Sequence, residues 1–232
     1  MRVSILVPVF EEEATVGELL RKLLASSFSE LGCEREILVC DDGSKDHTAQ
    51  VLAELSLREP ELRVFSHATN RGKGHAIRTL LEHATGDAVL IQDADLEYDV
   101  ADSVELVRLF LAGHPAVYGS RFLARRVPEG MRLSHYVANR VLTHTANLLY
   151  GLEISDEATC SKLVDARLLR EMKLTCERFE FCPEVTAKLG RMGVPIVEAP
   201  VRYRARDRAS GKKVRWHDGF VAMGVLLRHR WR

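Results

Sequence analysis

The chain has 232 residues, of which 46% are hydrophobic, enough for one large domain with a sizeable core and too many for global disorder. Its 33 Lys/Arg balance 33 Asp/Glu, which argues against a general nucleic-acid binder, because such proteins carry a basic excess against phosphates. The balance hides a split: residues 201–232 hold ten Lys/Arg and two Asp/Glu, so an acidic body ends in a basic tail.

The first half alternates short β-branched runs with helical patterns. Strands are predicted at Val3–Pro8, Glu36–Cys40, Leu62–Ser66, Ala88–Gln92 and Pro115–Gly119, and helices at Thr15–Ser26, Asp46–Leu57, Lys73–His83 and Ala101–Leu111. This rhythm implies a mostly parallel sheet covered by helices on both faces, with ligands bound at the carboxyl ends of the strands. After Arg121 a polar stretch leads to a helix over Leu133–Tyr150. A strand at Cys160–Val164, helices at Ala166–Met172 and Phe181–Met192, and strands at Ile196–Glu198 and Val201–Arg204 follow. The last helix, Asp218–Arg230, is apolar and runs into Arg230-Trp231-Arg232. Five cysteines with no CxxC pair suit a reduced, cytoplasmic protein. No secretory leader and no span of bilayer length is visible, so membrane contact is expected to be peripheral.

The strongest chemical signal is Asp93-Ala94-Asp95-Leu96-Glu97, which leaves an apolar strand. Residues i and i+2 of an extended segment share a side, and two such carboxylates repel unless a cation lies between them. Mg²⁺ or Mn²⁺ held by one or two carboxylates plus substrate phosphates resolves that conflict, the alternative being a capped helix start. Asp41-Asp42-Gly43-Ser44 also follows a strand, and its acids can accept hydrogen bonds from a base or a ribose; a capped turn is again the alternative. Asn70-Arg71-Gly72-Lys73-Gly74 precedes a helix and offers amides and two cations to an anion. The third glycine of the dinucleotide fingerprint is missing after Gly74, and no P-loop motif occurs.

Taken in order with Pro8-Val9-Phe10-Glu11-Glu12 and Gly119-Ser120-Arg121, these motifs resemble family 2 glycosyltransferases of the GT-A, or nucleotide-diphospho-sugar transferase, fold. More narrowly, the chain resembles the polyprenyl-phosphate sugar transferases typified by dolichyl-phosphate mannose synthase. The resemblance extends through Ser155–Cys160, Phe179–Glu184 and Arg206–Lys213. It implies a GT-A catalytic domain over residues 1–215 and a C-terminal helix over 216–232. It also implies a nucleotide pocket lined by Pro8, Glu12, Asp41 and Asp42, with Asp42 on the base. The Asn70–Gly74 cations Arg71 and Lys73 would serve the substrate, and Asp93 and Ala94 would lie at the ribose and metal side. Asp95 would hold a divalent ion, Mg²⁺ or Mn²⁺, with Glu97 as a direct or water-mediated third ligand. Arg121, Arg206 and Lys212 or Lys213 would contact phosphates. Where the family places a further acceptor arginine, this chain aligns His135, with Arg132 and Arg140 as neighbours.

The implied reaction is inverting transfer of a hexose, of mannose or glucose type, from a GDP- or UDP-sugar to a dolichyl or undecaprenyl phosphate. A phosphate monoester is already mostly dianionic at neutral pH and needs no protein base. A hydroxyl acceptor would need one, for which Glu180 and Glu184 are the candidates; a non-catalytic nucleotide-sugar-binding protein is the third reading. Strand alternation would put Arg202, Arg204, Arg206 and Arg208 on one side, either on phosphates or as a solvated edge. The C-terminal helix reads equally as an interfacial helix at the cytoplasmic face of a membrane or as a core helix with a soluble tail, and a separate membrane protein is a further possible partner.

Overall fold

The computed structural model describes residues 1–125, 127–206 and 216–231. Lys212 and Lys213, expected at the phosphates, and Arg208 lie outside these residues. Seven strands form one sheet: β1 (Arg2–Val9), β2 (Glu34–Asp41), β3 (Leu62–Ser66), β4 (Ala88–Ile91), β5 (Ala116–Ser120), β6 (Lys162–Asp165) and β7 (Val197–Pro200), in the order β3-β2-β1-β4-β6-β5-β7. β6 runs antiparallel to β4 and β5, and every other pairing is parallel.

Helices α1 (Val16–Leu24), α2 (Thr48–Arg58), α3 (Lys73–His83) and α4 (Ser103–Leu111) follow β1 to β4 in turn. After β5 come the single turn α5 (Arg121–Ala124) and the long α6 (Leu133–Tyr150), then α7 (Ala166–Glu171), α8 (Phe181–Arg191) and α9 (Trp216–Trp231). Alternation along β1 sends Val3, Ile5, Val7 and Val9 into one core with Leu19 and Leu20 of α1, while Leu6 faces the other with Ile77 of α3 and Val185 of α8. Strands buried on both faces must be apolar at every position, which is why these runs are continuous rather than alternating.

Register brings the functional loops to one edge. Val9 pairs with Asp41, and Leu6 pairs with both Leu38 and Ile91, so the carboxyl ends of β1, β2 and β4 stand side by side. α9 rests on α6 and α8 through Leu226, which joins Leu142, Ala146 and Ala187 in a third small cluster.

One predicted strand does not form. Val201–Arg204 makes only isolated bridges, Tyr98 to Tyr203 and Glu129 to Arg204. Side chains decide the path: Tyr203 packs edge-on against Tyr98 with ring centroids 5.1 Å apart, and Arg202 turns out to Asp99 and Asp102. Arg202, Arg204 and Arg206 therefore do not share one side; Arg202 and Arg204 are exposed, whereas Arg206 turns inward.

Candidate active site

The loop after β1 is stitched to the turn after β2. The Glu11 amide donates to Ser44 Oγ at 2.8 Å, and the Glu12 amide to Thr48 Oγ1 at 2.9 Å. Glu11 and Leu96 are two of three non-glycine residues with positive φ among the described residues, and strained backbone of this kind collects at functional sites. Asp41 accepts the Ser44 amide, a capped turn. Asp42 accepts the amides of Arg71 at 2.9 Å and Gly72 at 2.7 Å and hydrogen-bonds His67 Nδ1 at 2.7 Å. Both oxygens of Asp42, expected on the base, clasp the Asn70–Lys73 loop, and His67, which also bonds Thr79, braces the clasp. Gly72 is required here, because its φ is +100° and a Cβ would lie 2.5 Å from the Glu177 carbonyl oxygen.

The loop after β4 supplies the second group of acids. Asp93 is ion-paired with Lys73, whose Nζ also lies 3.0 Å from Cys160 Sγ. Burial alone would raise Asp93, but Lys73 outweighs it and holds the carboxyl below its ordinary value. Asp95 moves the other way, pushed up to about 7 by burial and by Asp93 and Glu97 beside it, with Arg206 opposing. Arg206 is the hub. It grips Glu12 with two bonds of 2.9 Å, reaches Asp95 at 3.2 Å and approaches Glu97 at 3.9 Å. Glu97 also accepts Tyr203 Oη at 2.6 Å and the Arg206 amide at 2.8 Å. Tyr203, Thr48 and His67 were not singled out in the sequence; only the opposite parity of Tyr203 among the arginines hinted at it.

Among the described residues four carboxylates thus face two cations, and the charge deficit falls on Asp95. Among the described residues no group of three or more His, Cys, Asp or Glu forms a ready-made metal cage. Asp95 and Asp93 could hold a cation, whereas Glu97, expected as a third ligand, already accepts Tyr203 and the Arg206 amide. The donor set fits a hard divalent ion completed by substrate phosphates rather than by protein alone. Arg206 Nε is buried with no hydrogen-bond partner among the described residues, an anion donor left over at the same spot.

Arg121 is buried and makes a two-pronged pair with buried Asp156, at 2.7 Å for each bond, and its amide binds the same carboxylate. Expected on phosphate, it braces α5 against the Asp156 loop, with its guanidinium 5.1 Å from the Tyr203 ring. Arg140 donates to the Ser155 carbonyl at 2.9 Å and lies over Phe122. Arg132 is exposed at the start of α6, His135 is half-buried one turn on, and Arg71 is exposed. Pro8 is half-buried at the end of β1 and Ala94 is buried between the two acids. Glu184, a candidate base for a hydroxyl acceptor, is buried and locked by Lys188, Thr175 and Cys176. Glu180 accepts the Arg178 amide.

The chain matches the model of Glycosyl transferase family 2 over residues 4–173. It is 31% identical over 212 residues to an undecaprenyl-phosphate 4-deoxy-4-formamido-L-arabinose transferase of Shewanella sediminis, covering 90% of this chain and 61% of that protein. The chain thus spans about three fifths of the length of the curated relatives it matches. A mannosyltransferase from Pyrobaculum calidifontis, solved with GDP-Man and Mn²⁺, superposes with a TM-score of 0.65 at 19% identity, over 99% of this chain and 62% of that one. Glucosyl-3-phosphoglycerate synthase from Mycobacterium tuberculosis, solved with Mn²⁺, uridine-diphosphate and phosphoglyceric acid, superposes at 0.67 and 18% identity, over 98% and 78%. The fold is the GT-A fold, and the chain belongs to glycosyl transferase family 2.

Proposed function

We propose that this family 2 glycosyltransferase moves a sugar from a nucleoside diphosphate donor to a polyprenyl phosphate with inversion at the anomeric carbon. The observation that carries the reading is the convergence of Glu12, Asp93, Asp95 and Glu97 on Arg206 and Lys73 beside the Asn70–Lys73 loop. The acceptor class rests on the Shewanella sediminis relative, whose name specifies an undecaprenyl phosphate.

Asp95 and Asp93 would hold Mg²⁺ or Mn²⁺ against the donor diphosphate, where the ion supplies neutralising charge as the sugar departs. The remaining work belongs to this chain's own side chains. Lys73 and Arg206 sit where they can turn from carboxylates to phosphates, and Arg206 Nε, 3.9 Å from Glu97, makes no hydrogen bond among the described residues. Such preorganised cations in a partly dry site are worth more than the same charges in water. The acceptor phosphate brings its own nucleophilic oxygen, so the protein must align two mutually repelling anions rather than remove a proton. Exposed Arg132 and Arg140 and half-buried His135 between them are the residues that would meet the acceptor phosphate.

The hydroxyl-acceptor reading is less well supported, because Glu184 is locked by four donors and has no freedom to act as a base. The donor screen includes GDP-mannose, UDP-glucose and a UDP-linked 4-deoxy-4-formamido-arabinose. With Mn²⁺ present, radiolabel should pass to a short polyprenyl phosphate and not to an alkyl glycoside. Transfer to the glycoside alone would overturn the acceptor assignment, and donor binding without product on any acceptor would favour a non-catalytic role.

A further inference from the structure

Helix α6 carries an apolar face that is left exposed among the described residues. Leu133, Val137, Val141 and Leu148 are 74, 50, 50 and 76% exposed. At 3.6 residues per turn they fall within an arc of about 80°, and at 1.5 Å per residue they extend over roughly 22 Å. Only His144 interrupts the stripe. Large apolar side chains aligned at this density on a surface helix mark a contact.

Charge identifies the partner. α6 contains no Asp or Glu; the nearest acids in sequence are Glu129 and Glu153, beyond its two ends. Exposed Arg132 and Arg140 flank the first half of the stripe. At the other end Leu148 and Tyr150 share a cavity of about 430 Å³ with Arg191 and Arg230, and Trp231, 82% exposed, lies beside Arg230. Among the described residues no helix is long and apolar enough to cross a membrane. An apolar stripe with cations at both ends and no carboxylate of its own is complementary to an anionic bilayer surface, into which such a helix settles without spanning.

We infer that the exposed face of α6 seats the protein on an anionic lipid bilayer, with Arg132 and Arg140 at headgroup level. The assignment rests on the lipid-phosphate reading above in one respect: an acceptor buried by its tail must be met at a membrane, and the stripe begins next to Arg132, an expected acceptor contact. α9, the helix whose sequence suggested an interfacial role, instead spends part of its apolar surface on α6 and α8.

The test compares the full chain with a Val137→Asp/Val141→Asp variant. Both positions are half exposed, so the fold should survive, which circular dichroism checks. Wild type should co-sediment with vesicles of phosphatidylcholine and phosphatidylglycerol and less with phosphatidylcholine alone, and the variant should bind the anionic vesicles at least about tenfold more weakly. Transfer to a short, water-soluble polyprenyl phosphate should be unchanged in the variant, while transfer to a long-chain acceptor in vesicles falls with binding. Equal vesicle binding by both proteins, no binding by wild type, or a wild-type dimer that the substitutions dissociate would overturn the inference. Vesicle binding lost in the variant while neither protein glycosylates the short acceptor would support the face and overturn the functional reading alone.

Discussion

Replacing Arg206 by alanine should reveal how the acid cluster is held. The guanidinium is 17% exposed and makes two bonds to Glu12, itself 7% exposed, plus one to Asp95. Its removal leaves Glu12, Asp95 and Glu97 facing one another without their shared cation. Breaking a buried pair from one side costs about 3 kcal/mol or more, and for a domain of this size that lowers Tm by roughly 6–12 °C. The loss should be larger at pH 8 than at pH 5, because protonation relieves the repulsion once the cation is gone. Mn²⁺ should raise Tm more in the variant than in wild type, since the vacated position is where a divalent ion has most to neutralise. Differential scanning calorimetry across pH, with and without Mn²⁺, reads all three effects. A Tm within 1 °C of wild type at pH 8, or a Mn²⁺ response no larger than in wild type, would refute the account of the cluster.

Asp156→Ala should destabilise the fold by about 3–5 kcal/mol in urea, because it strands the buried Arg121 guanidinium; a large loss of transfer with unchanged stability would return Arg121 to the phosphates. Glu157 is buried, its carboxylate oxygens lack hydrogen bonds among the described residues, and burial pushes it up to about 7, with Lys162 opposing. A raised carboxyl pKa means that the folded state binds more protons than the unfolded chain between pH 4.5 and 7. Stability contributed there must fall as pH rises through that window, and Glu157→Gln should flatten the fall by on the order of 3 kcal/mol at pH 8; a parallel pH profile for the variant would contradict this. Gly72→Ala, forced to φ of +100° against the Glu177 carbonyl, should lower stability by about 1–3 kcal/mol and weaken donor binding more than tenfold; intact affinity in a calorimetric titration would release the loop from the site.

The layout of the sheet was legible because each strand is an unbroken apolar run ended by a polar motif, as at Ile37–Asp42 and Leu90–Asp93. The same run-and-motif logic placed Glu12, Asp42 and Asp95 on one edge. It could not foresee how they are partnered. Arg206 lies 194 residues from Glu12 and 111 from Asp95, and the alternation gave no sign that Arg206 would turn inward while Arg202 and Arg204 stay exposed. The Gly119-Ser120-Arg121 pattern suggested a phosphate contact, yet Asp156, 35 residues on, claims that arginine. Alternation at Val201–Arg204 suggested a strand, but the aromatic contact of Tyr203 with Tyr98 and its bond to Glu97 set the path instead. Which charge pairs with which depends on tertiary distance, and period and composition carry no record of it.

If the acids gathered at the ends of β1 and β4 form a seat for a cation and a donor diphosphate, removing one of them should uncouple the ion from the donor. Isothermal titration of the cognate nucleotide sugar, with and without Mn²⁺, into wild type and Asp95→Asn addresses it most directly. Mn²⁺ should strengthen donor binding to wild type by tenfold or more, on the order of 1.4 kcal/mol, and leave binding to Asp95→Asn unchanged. Equal enhancement in both proteins, or none in wild type, would contradict it.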